Sequence, residues 1–167
     1  MKALQNNNTW ELTTLSDEKK TVRWKWVFTV KYKADGTIEK YKVRLVAKGY
    51  TQTYGIDYQE TFSPVTKLNI IWILLSLAAN LDWPLHQFDV KNAFLHGDLE
   101  EKVYMDVPPS FTGRKENMVC RLTKSLYELK RSPRAWFGRF SLVMQKHEFS
   151  QSNSDHTLFL KRNWEKQ

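Results

Sequence analysis

Apolar and polar side chains alternate with a period of two through the first third of the chain. The first run covers residues 22–33, and its apolar members are Val22, Trp24, Trp26, Phe28, Val30 and Tyr32. The dipeptide Asp35-Gly36 follows, which is a strong signal for a tight turn between strands. Alternation resumes over residues 40–48. The pattern therefore predicts a two-stranded β-ribbon whose register is set by its side chains.

Two later stretches have the composition of helices. Residues 65–80 are apolar on most sides, with Ser63 or Thr66 as the N-cap and Pro64 near the first turn. An all-round apolar helix is predicted to be buried in the core. Residues 132–147 form the second predicted helix. Its inner stripe is predicted to contain Trp136, Phe140, Val143 and His147.

Shorter segments predict further strands at residues 85–90, 102–107, 118–122 and 155–161. Residues 1–20 are mostly polar and predict an irregular arm, and residues 49–65 have the composition of a loop. Strands and helices do not alternate regularly along this chain. The succession therefore indicates a mixed α+β fold.

The composition is that of one globular domain, with 167 residues, 41% hydrophobic and 26% charged. A single cysteine, Cys120, excludes an internal disulfide and is typical of a reducing compartment. No apolar stretch is long enough to span a membrane, and the N-terminus lacks the apolar core of a signal peptide. We therefore expect a cytoplasmic protein that is not secreted.

The net charge of +8 is distributed unevenly. Residues 19–48 carry ten Lys or Arg and two acidic residues. Residues 121–140 carry six Lys or Arg and one acidic residue. Between them, residues 81–106 hold six acids and two lysines. Two basic segments on either side of an acidic one favour a polyanion held around a metal centre.

Lys42, Arg44 and Lys48 fall on one face of the second ribbon strand. Alternate residues of a strand lie about 6–7 Å apart, which matches the spacing of successive phosphates. An ordinary solvated basic face explains the same pattern. Asp89, at the end of the predicted strand 85–90, is a candidate ligand for a divalent cation. Its local sequence alone favours a solvated aspartate at a strand-to-loop junction, since such residues are common there.

Three blocks of sequence carry a resemblance to a known family. They are residues 41–52 (YKVRLVAKGYTQ), 87–97 (QFDVKNAFLHG) and 125–136 (SLYELKRSPRAW). In this order they resemble the reverse transcriptase of Ty1/copia-type LTR retrotransposons, which is part of a Pol polyprotein. The resemblance implies the fingers and a partial palm of a right-hand polymerase. Residues 21–82 would be fingers-like, and residues 83–161 a partial palm with interleaved fingers segments.

The resemblance also implies a catalytic metal site. Asp89 takes the position of the first of three catalytic aspartates, which together hold two Mg²⁺ ions for nucleotidyl transfer. The carbonyl of Val90 would be a further metal ligand.

A nucleotide site is implied by the same blocks. Phe94, with Ala93 beside it, takes the aromatic position under the sugar of the incoming nucleotide, where the ring would exclude a 2′-hydroxyl. Arg44, with Lys42 and Lys48, matches the ribbon segment that contacts the triphosphate.

A template contact is implied for Lys130, Ser132 and Pro133. The implied partners are an RNA template, a DNA primer, deoxynucleoside triphosphates and the rest of the Pol polyprotein with its integrase and RNase H, without a membrane. The resemblance also implies a location in the cytoplasm, within a virus-like particle.

The sequence departs from the family pattern at several positions. Glu128 stands where the family usually has Gly, Arg131 where it has Gln, and Trp72 where it has a basic residue. The chain contains no adjacent pair of aspartates, whereas the family's other two catalytic aspartates form a Tyr-Val-Asp-Asp hairpin beyond the segment that matches residues 154–159. We therefore expect a domain truncated before that hairpin, and a chain that alone does not polymerise DNA.

Two other interpretations stay open from the sequence. One is a non-catalytic nucleic-acid-binding relic of the same element, which uses the basic ribbon and exposed aromatic side chains. Asp89→Asn should then leave nucleic-acid binding nearly unchanged, while it abolishes polymerisation by a restored full-length enzyme. The other is an independent metal nuclease, which needs a second carboxylate beside Asp89 from Asp98, Glu100 or Glu101.

Overall fold

The structure, a computed structural model, describes residue 4 and residues 6–16, 19–61, 64–109 and 117–161. Its strands are β1 (Trp10–Thr14), β2 (Thr21–Val22), β3 (Trp24–Tyr32), β4 (Ile38–Ala47), β5 (Asp98–Met105), β6 (Met118–Lys124), β7 (Ser150–Gln151) and β8 (Phe159–Leu160). Its helices are α1 (Leu68–Asn80) and α2 (Ser132–Lys146), with 3-10 turns at Gly49–Thr51 and Ala93–His96. The described residues thus form a mixed α and β structure, as the sequence predicts.

Four strands form the main sheet, in the order β1-β6-β5-β2. β6 pairs antiparallel with both β1 and β5, and β2 adds parallel to β5. The prediction of an irregular arm is wrong for β1, which pairs along the whole of its length with Leu122 opposite Trp10. Trp10 and Leu12, at alternate positions of the strand, pack against the core, and the ladder with β6 satisfies its backbone.

The predicted ribbon is confirmed as β3 and β4. Trp24 lies opposite Ala47, and the ladder continues outward to Val30 opposite Tyr41. The single run predicted from Val22 is in fact divided at Arg23, because Val22 belongs to β2 and pairs with β5 in the main sheet. The ribbon therefore leaves the main sheet at its base.

The core lies where the main sheet meets the base of the ribbon. Its buried members are Val22, Leu45, Ala47, Val103, Met105, Val107, Cys120, Leu122, Leu126 and Leu129. Burial is complete at the inner end of β4 and is lost toward the turn that follows β3. The outer part of the ribbon thus extends beyond the core.

Helix α1 differs from its prediction in start and in burial. It begins at Leu68 after Lys67, so Thr66 is not its N-cap, and Ser63 lies outside the described residues. Ala78 is its one buried residue, and Trp72 is 65% exposed. The prediction of a buried helix is therefore wrong, because an apolar composition leads to burial only where other elements pack against each side. Within the described residues, no helix is long and apolar enough to cross a membrane.

Helix α2 matches its predicted range. Trp136 and Phe140 are half-buried, and their rings stack with centroids 5.4 Å apart. Val143 and His147 were predicted for the inner stripe but are exposed. The packed side instead includes Phe137, whose ring lies 6.1 Å from that of Phe159 in β8. The stripe is shifted because it follows the position of β8.

The remaining strand predictions are partly wrong. Residues 83–90 form no strand, and Phe88 is 89% exposed. Alternation produces a strand only where a neighbour offers hydrogen bonds, and none pairs with this segment among the described residues. The strand predicted at 155–161 is limited to β8, which pairs with β7. The strand predicted at 102–107 corresponds to β5, which begins earlier, at Asp98, and ends at Met105. The strand predicted at 118–122 is confirmed as β6, which continues to Lys124.

Candidate functional site

The inner half of β4 places two cations on one face of the ribbon. Lys42 lies opposite Thr29 and Arg44 opposite Val27, so both side chains leave the strand in the same direction. Lys48 follows the strand, and its backbone N–H donates to the carbonyl of Arg23 at 2.7 Å. All three basic side chains are half-buried. The ribbon therefore supplies a short cationic row at its base.

Tyr127 joins this row to the turn that contains Phe94. The guanidinium carbon of Arg44 lies 5.7 Å from the centroid of the Tyr127 ring. The ring of Tyr127 also contacts the ring of Phe94 edge to face, with the two centroids 4.9 Å apart and the ring planes at 89°. Arg44 and Phe94 are distant in sequence, and the fold brings both onto one aromatic side chain.

The Ala93–His96 turn is held by its backbone and by one buried hydroxyl. Asn92 precedes the turn with a φ of 54°, in the left-handed region that asparagine tolerates. The N–H of Gly97 donates to the carbonyl of Phe94 at 3.0 Å. The hydroxyl of Ser125, which is fully buried, donates to the same carbonyl. These bonds fix the backbone that presents Ala93 and Phe94, both half-buried.

The segment after β6 is fixed against the ribbon. The N–H of Ala47 donates to the carbonyl of Tyr127 at 3.0 Å, as part of a parallel bridge between Val46 and Tyr127. The hydroxyl of Ser132 donates to the carbonyl of Leu126. The backbone of Tyr127 is therefore fixed by hydrogen bonds to its own carbonyl and to the carbonyl of the residue before it.

A cavity of about 360 Å³ opens beside these residues. Its walls include Trp26, Val43, Arg44, Asn92, Leu126 and Tyr127. The Nε of Arg44 is buried and has no hydrogen-bond acceptor among the described residues. Buried donors normally have an acceptor, so this nitrogen is a donor whose hydrogen bond the described residues leave unmade.

The residues predicted to contact a template are divided by the fold. Lys130 is exposed, and its N–H donates to Oε1 of Gln52 at 3.0 Å. Pro133 is half-buried in the first turn of α2. Ser132 is only 1% exposed and is engaged with Leu126, so its hydroxyl holds the turn.

Residues 7–167 match the family model described as "Reverse transcriptase (RNA-dependent DNA polymerase)". This chain belongs to that reverse transcriptase family. The copia-type resemblance predicted from the three sequence blocks is thereby confirmed.

Two curated relatives show what this reverse transcriptase chain is similar to. It is 47% identical over 163 residues to the "Retrovirus-related Pol polyprotein from transposon TNT 1-94" of Nicotiana tabacum, covering 97% of this chain and 12% of that protein. It is also 47% identical to the "Retrovirus-related Pol polyprotein from transposon RE1" of Arabidopsis thaliana, over 92% of this chain and 11% of the relative. The chain thus spans about an eighth of their length. No solved structure matches it.

Reverse transcriptases generally use divalent metal ions, and the described residues do not form a site for them. Asp89 is exposed in the segment that forms no strand, with Val90 beside it, 44% exposed. Among the described residues, no group of three or more His, Cys, Asp or Glu side chains could hold a metal ion. Glu101 is instead paired with Arg131. One carboxylate does not fit two divalent ions, so Asp89 is at most one contributor.

Two features of this region are not predicted from the sequence. Tyr127 lies inside the quoted block 125–136, but its pattern gave no sign that it contacts Arg44 and Phe94. Glu128 has a φ of 67°, a conformation that favours glycine. The glycine that the family usually has at this position is the sequence feature that indicates a left-handed backbone conformation.

Proposed function

We propose that this chain forms the part of a reverse transcriptase that binds the incoming deoxynucleoside triphosphate. Arg44, assisted by Lys42 and Lys48, contacts the triphosphate, and Phe94 with Ala93 faces the sugar. The observation that carries this proposal is the convergence of Arg44 and Phe94 on Tyr127, with Arg44 and Tyr127 in the wall of the cavity. Membership of the family supplies the ligand class.

The chemistry of the two groups suits this ligand. A guanidinium stays charged at neutral pH and binds phosphate oxygens through two parallel N–H donors. The buried Nε of Arg44 is a donor still without an acceptor in the described part of the chain. A rigid ring such as that of Phe94 leaves no room for an added hydroxyl, so it favours a deoxyribose over a ribose.

We propose for the whole polyprotein an RNA-directed DNA polymerase that uses an RNA template, a DNA primer and Mg²⁺. Asp89 and the carbonyl of Val90 would contribute to the metal site, with the other ligands outside the described residues. Mg²⁺ prefers carboxylate and carbonyl oxygens and neutralises charge during phosphoryl transfer. Lys130 and Pro133 would lie near the template. The polyprotein's other parts are its partners, in a cytoplasmic particle.

Nucleotide binding by the purified chain tests the proposal. Arg44→Ala should weaken binding of dATP by about 10-fold or more, because a charge-assisted pair is lost. Lys40→Ala is the matched control, since Lys40 is exposed on the same strand and pairs with Glu39 at 2.9 Å. Isothermal titration with both variants measures the difference. Equal dATP affinity in wild type and Arg44→Ala would contradict the proposal.

The isolated chain is proposed not to extend a primer, because the described residues contain no metal-binding cluster around Asp89. A primer-extension assay with Mg²⁺ measures this, and template-dependent product would contradict it. The alternative of a non-catalytic nucleic-acid-binding relic is not favoured, since the similar relatives are Pol polyproteins.

A further inference from the structure

We infer that Tyr127 is a positioning residue that couples sugar selection to triphosphate affinity. Its ring contacts Phe94 on one side and Arg44 on another, so one side chain orients both groups. The inference rests on the proposed nucleotide site and adds a residue to which no role has been assigned. Tyr127 acts through its two neighbours and needs no contact with the nucleotide.

The contact with Phe94 sets the orientation of the Phe94 ring. In an edge-to-face pair, the positive edge of one ring meets the negative face of the other, which favours planes near a right angle. The observed angle is 89° at a centroid distance of 4.9 Å. A ring held in this way presents a fixed surface to the sugar. Without Tyr127, the Phe94 ring can rotate and the barrier to a 2′-hydroxyl weakens.

The contact with Arg44 sets the direction of the guanidinium. A cation within about 6 Å of a ring centroid is attracted to its electron-rich face. Arg44 lies at 5.7 Å, and its buried Nε has no acceptor among the described residues. The Tyr127 ring thus orients Arg44 through a contact that occupies none of its N–H donors.

The backbone of Tyr127 is fixed relative to both groups. Its carbonyl accepts from Ala47, three residues beyond Arg44 in the sequence. The preceding residue, Leu126, is fully buried and its carbonyl accepts from Ser132. Ser125 is bonded to the carbonyl of Phe94. The backbone that carries the ring is therefore tied to the segments that carry Arg44 and Phe94, and the ring contacts both groups from this one position.

Two substitutions at this position separate the ring from the hydroxyl. Tyr127→Phe keeps both ring contacts, and Tyr127→Leu removes both while it keeps an apolar side chain. Binding of dATP and ATP to each purified chain is measured by titration in the same Mg²⁺ buffer. Thermal unfolding of each variant is recorded in parallel, so that a loss of fold is recognised.

We expect Tyr127→Leu to weaken dATP binding by about 5- to 30-fold, the range for a partly desolvated cation–π contact. Its preference for dATP over ATP should fall by about 2- to 10-fold, as for loss of one aromatic pair. Tyr127→Phe should match wild type within about 2-fold in both quantities, because its ring keeps both contacts. In an Arg44→Ala background, Tyr127→Leu should add little further loss of dATP affinity but should still lower the preference.

The outcomes distinguish this inference from the proposed function. If Arg44→Ala weakens dATP binding and Tyr127→Leu does not, the nucleotide site stands and the inference is overturned. If Tyr127→Phe loses as much as Tyr127→Leu, the hydroxyl is responsible and the inference is also overturned. Wild-type chain that binds neither nucleotide overturns both. If Tyr127→Leu and the longer, unbranched Tyr127→Met both unfold, Tyr127 has a general structural role and the inference fails.

Discussion

Glu128 is a residue whose backbone conformation does not suit its side chain. Its φ of 67° lies in the left-handed region, where a Cβ meets the neighbouring carbonyl. The turn cannot relax easily, since a Cβ added to Gly49 would come within 2.0 Å of the Glu128 carbonyl oxygen. The carboxylate pairs with Lys25 at 3.4 Å, with both side chains about half exposed. Such an exposed ion pair offsets little of the free-energy cost of the left-handed backbone conformation.

Glu128→Gly is therefore expected to raise the free energy of unfolding by about 0.5–1 kcal/mol, because glycine adopts this φ without strain. Urea denaturation measures the change. Glu128→Ala is the matched control, since it removes the ion pair with Lys25 and keeps the strained Cβ. Equal gains from both substitutions would show that the carboxylate, and not the backbone, causes the cost.

At the scale of elements, helix α2 approaches the 93–97 segment closely at one glycine. A Cβ at Gly97 would lie 2.7 Å from the backbone of Ala135 and of Trp136. Backbone atoms inside a helix cannot move aside as a flexible side chain does. Gly97 thus permits the contact between α2 and the turn that presents Phe94.

Gly97→Ala should lower the free energy of unfolding by about 1–3 kcal/mol, the usual cost of overpacking. Gly138→Ala is the control within α2, where an added Cβ meets nothing within 4 Å. It should stabilise the chain by about 0.5–1 kcal/mol, because alanine favours a helix more than glycine does. Thermal or urea unfolding reports both, and a neutral Gly97→Ala would contradict the close approach.

The start of α1 is tied to the segment before β8 by Asp155. Its Oδ1 accepts from the hydroxyl of Thr157 at 2.6 Å, and its Oδ2 accepts from the backbone N–H of Lys67 at 2.9 Å. The Thr157 hydroxyl bond and the N–H groups of Lys67 and Thr157 lower the pKa of Asp155 from 3.8 to about 2. A carboxylate with a lowered pKa stabilises the folded state when it is ionised.

The contribution of Asp155 should be complete above about pH 4 and should be lost as the pH falls through about 2. The unfolded state takes up the proton first, at the higher pKa, so acid favours unfolding. Urea denaturation of wild type and Asp155→Asn between pH 2 and pH 6 measures it. The difference between the two proteins should shrink toward low pH. A constant difference would show that ionisation of Asp155 does not matter.

At the scale of the whole molecule, α1 and the segment after it expose a broad apolar surface. Leu68, Trp72 and Ile73 are 69%, 65% and 55% exposed, and Leu85 and Phe88 follow in the segment without a strand. Contiguous apolar patches of this kind promote association. The chain alone should therefore self-associate as its concentration rises.

Leu68→Lys combined with Trp72→Lys should reduce this association, because two exposed apolar side chains are replaced by charges. Static light scattering over a concentration series measures the mean mass, and circular dichroism checks that α1 is retained. Ala78→Lys is the contrasting control, since Ala78 is 3% exposed and a buried lysine destabilises the fold. Unchanged association in the double variant would rule out this surface as the cause.

Local patterns predicted the parts of the fold that depend on neighbours in sequence. The β3–β4 ribbon and helix α2 were correct, because a turn signal or a helical stripe is contained in the segment itself. The pairing of β1 with β6 was missed because its partner lies over a hundred residues away. Exposure of α1 was missed because composition does not identify the neighbours of a helix. Tyr127 was missed for the same reason, since its role depends on three segments that meet in space.

The gradient of burial along β4 has a mechanical consequence. The strand packs against the core at Leu45–Ala47, which are buried. The turn near Asp35 lies in solvent, and every residue there is exposed. A ribbon that is packed only at one end bends about that end, so the displacement of a residue increases with its distance from the packed end. Any bending about this buried end would displace Arg44 less than Lys42, and Lys42 less than Lys40. The outer cations of the ribbon would then change position relative to a bound ligand more than Arg44 does.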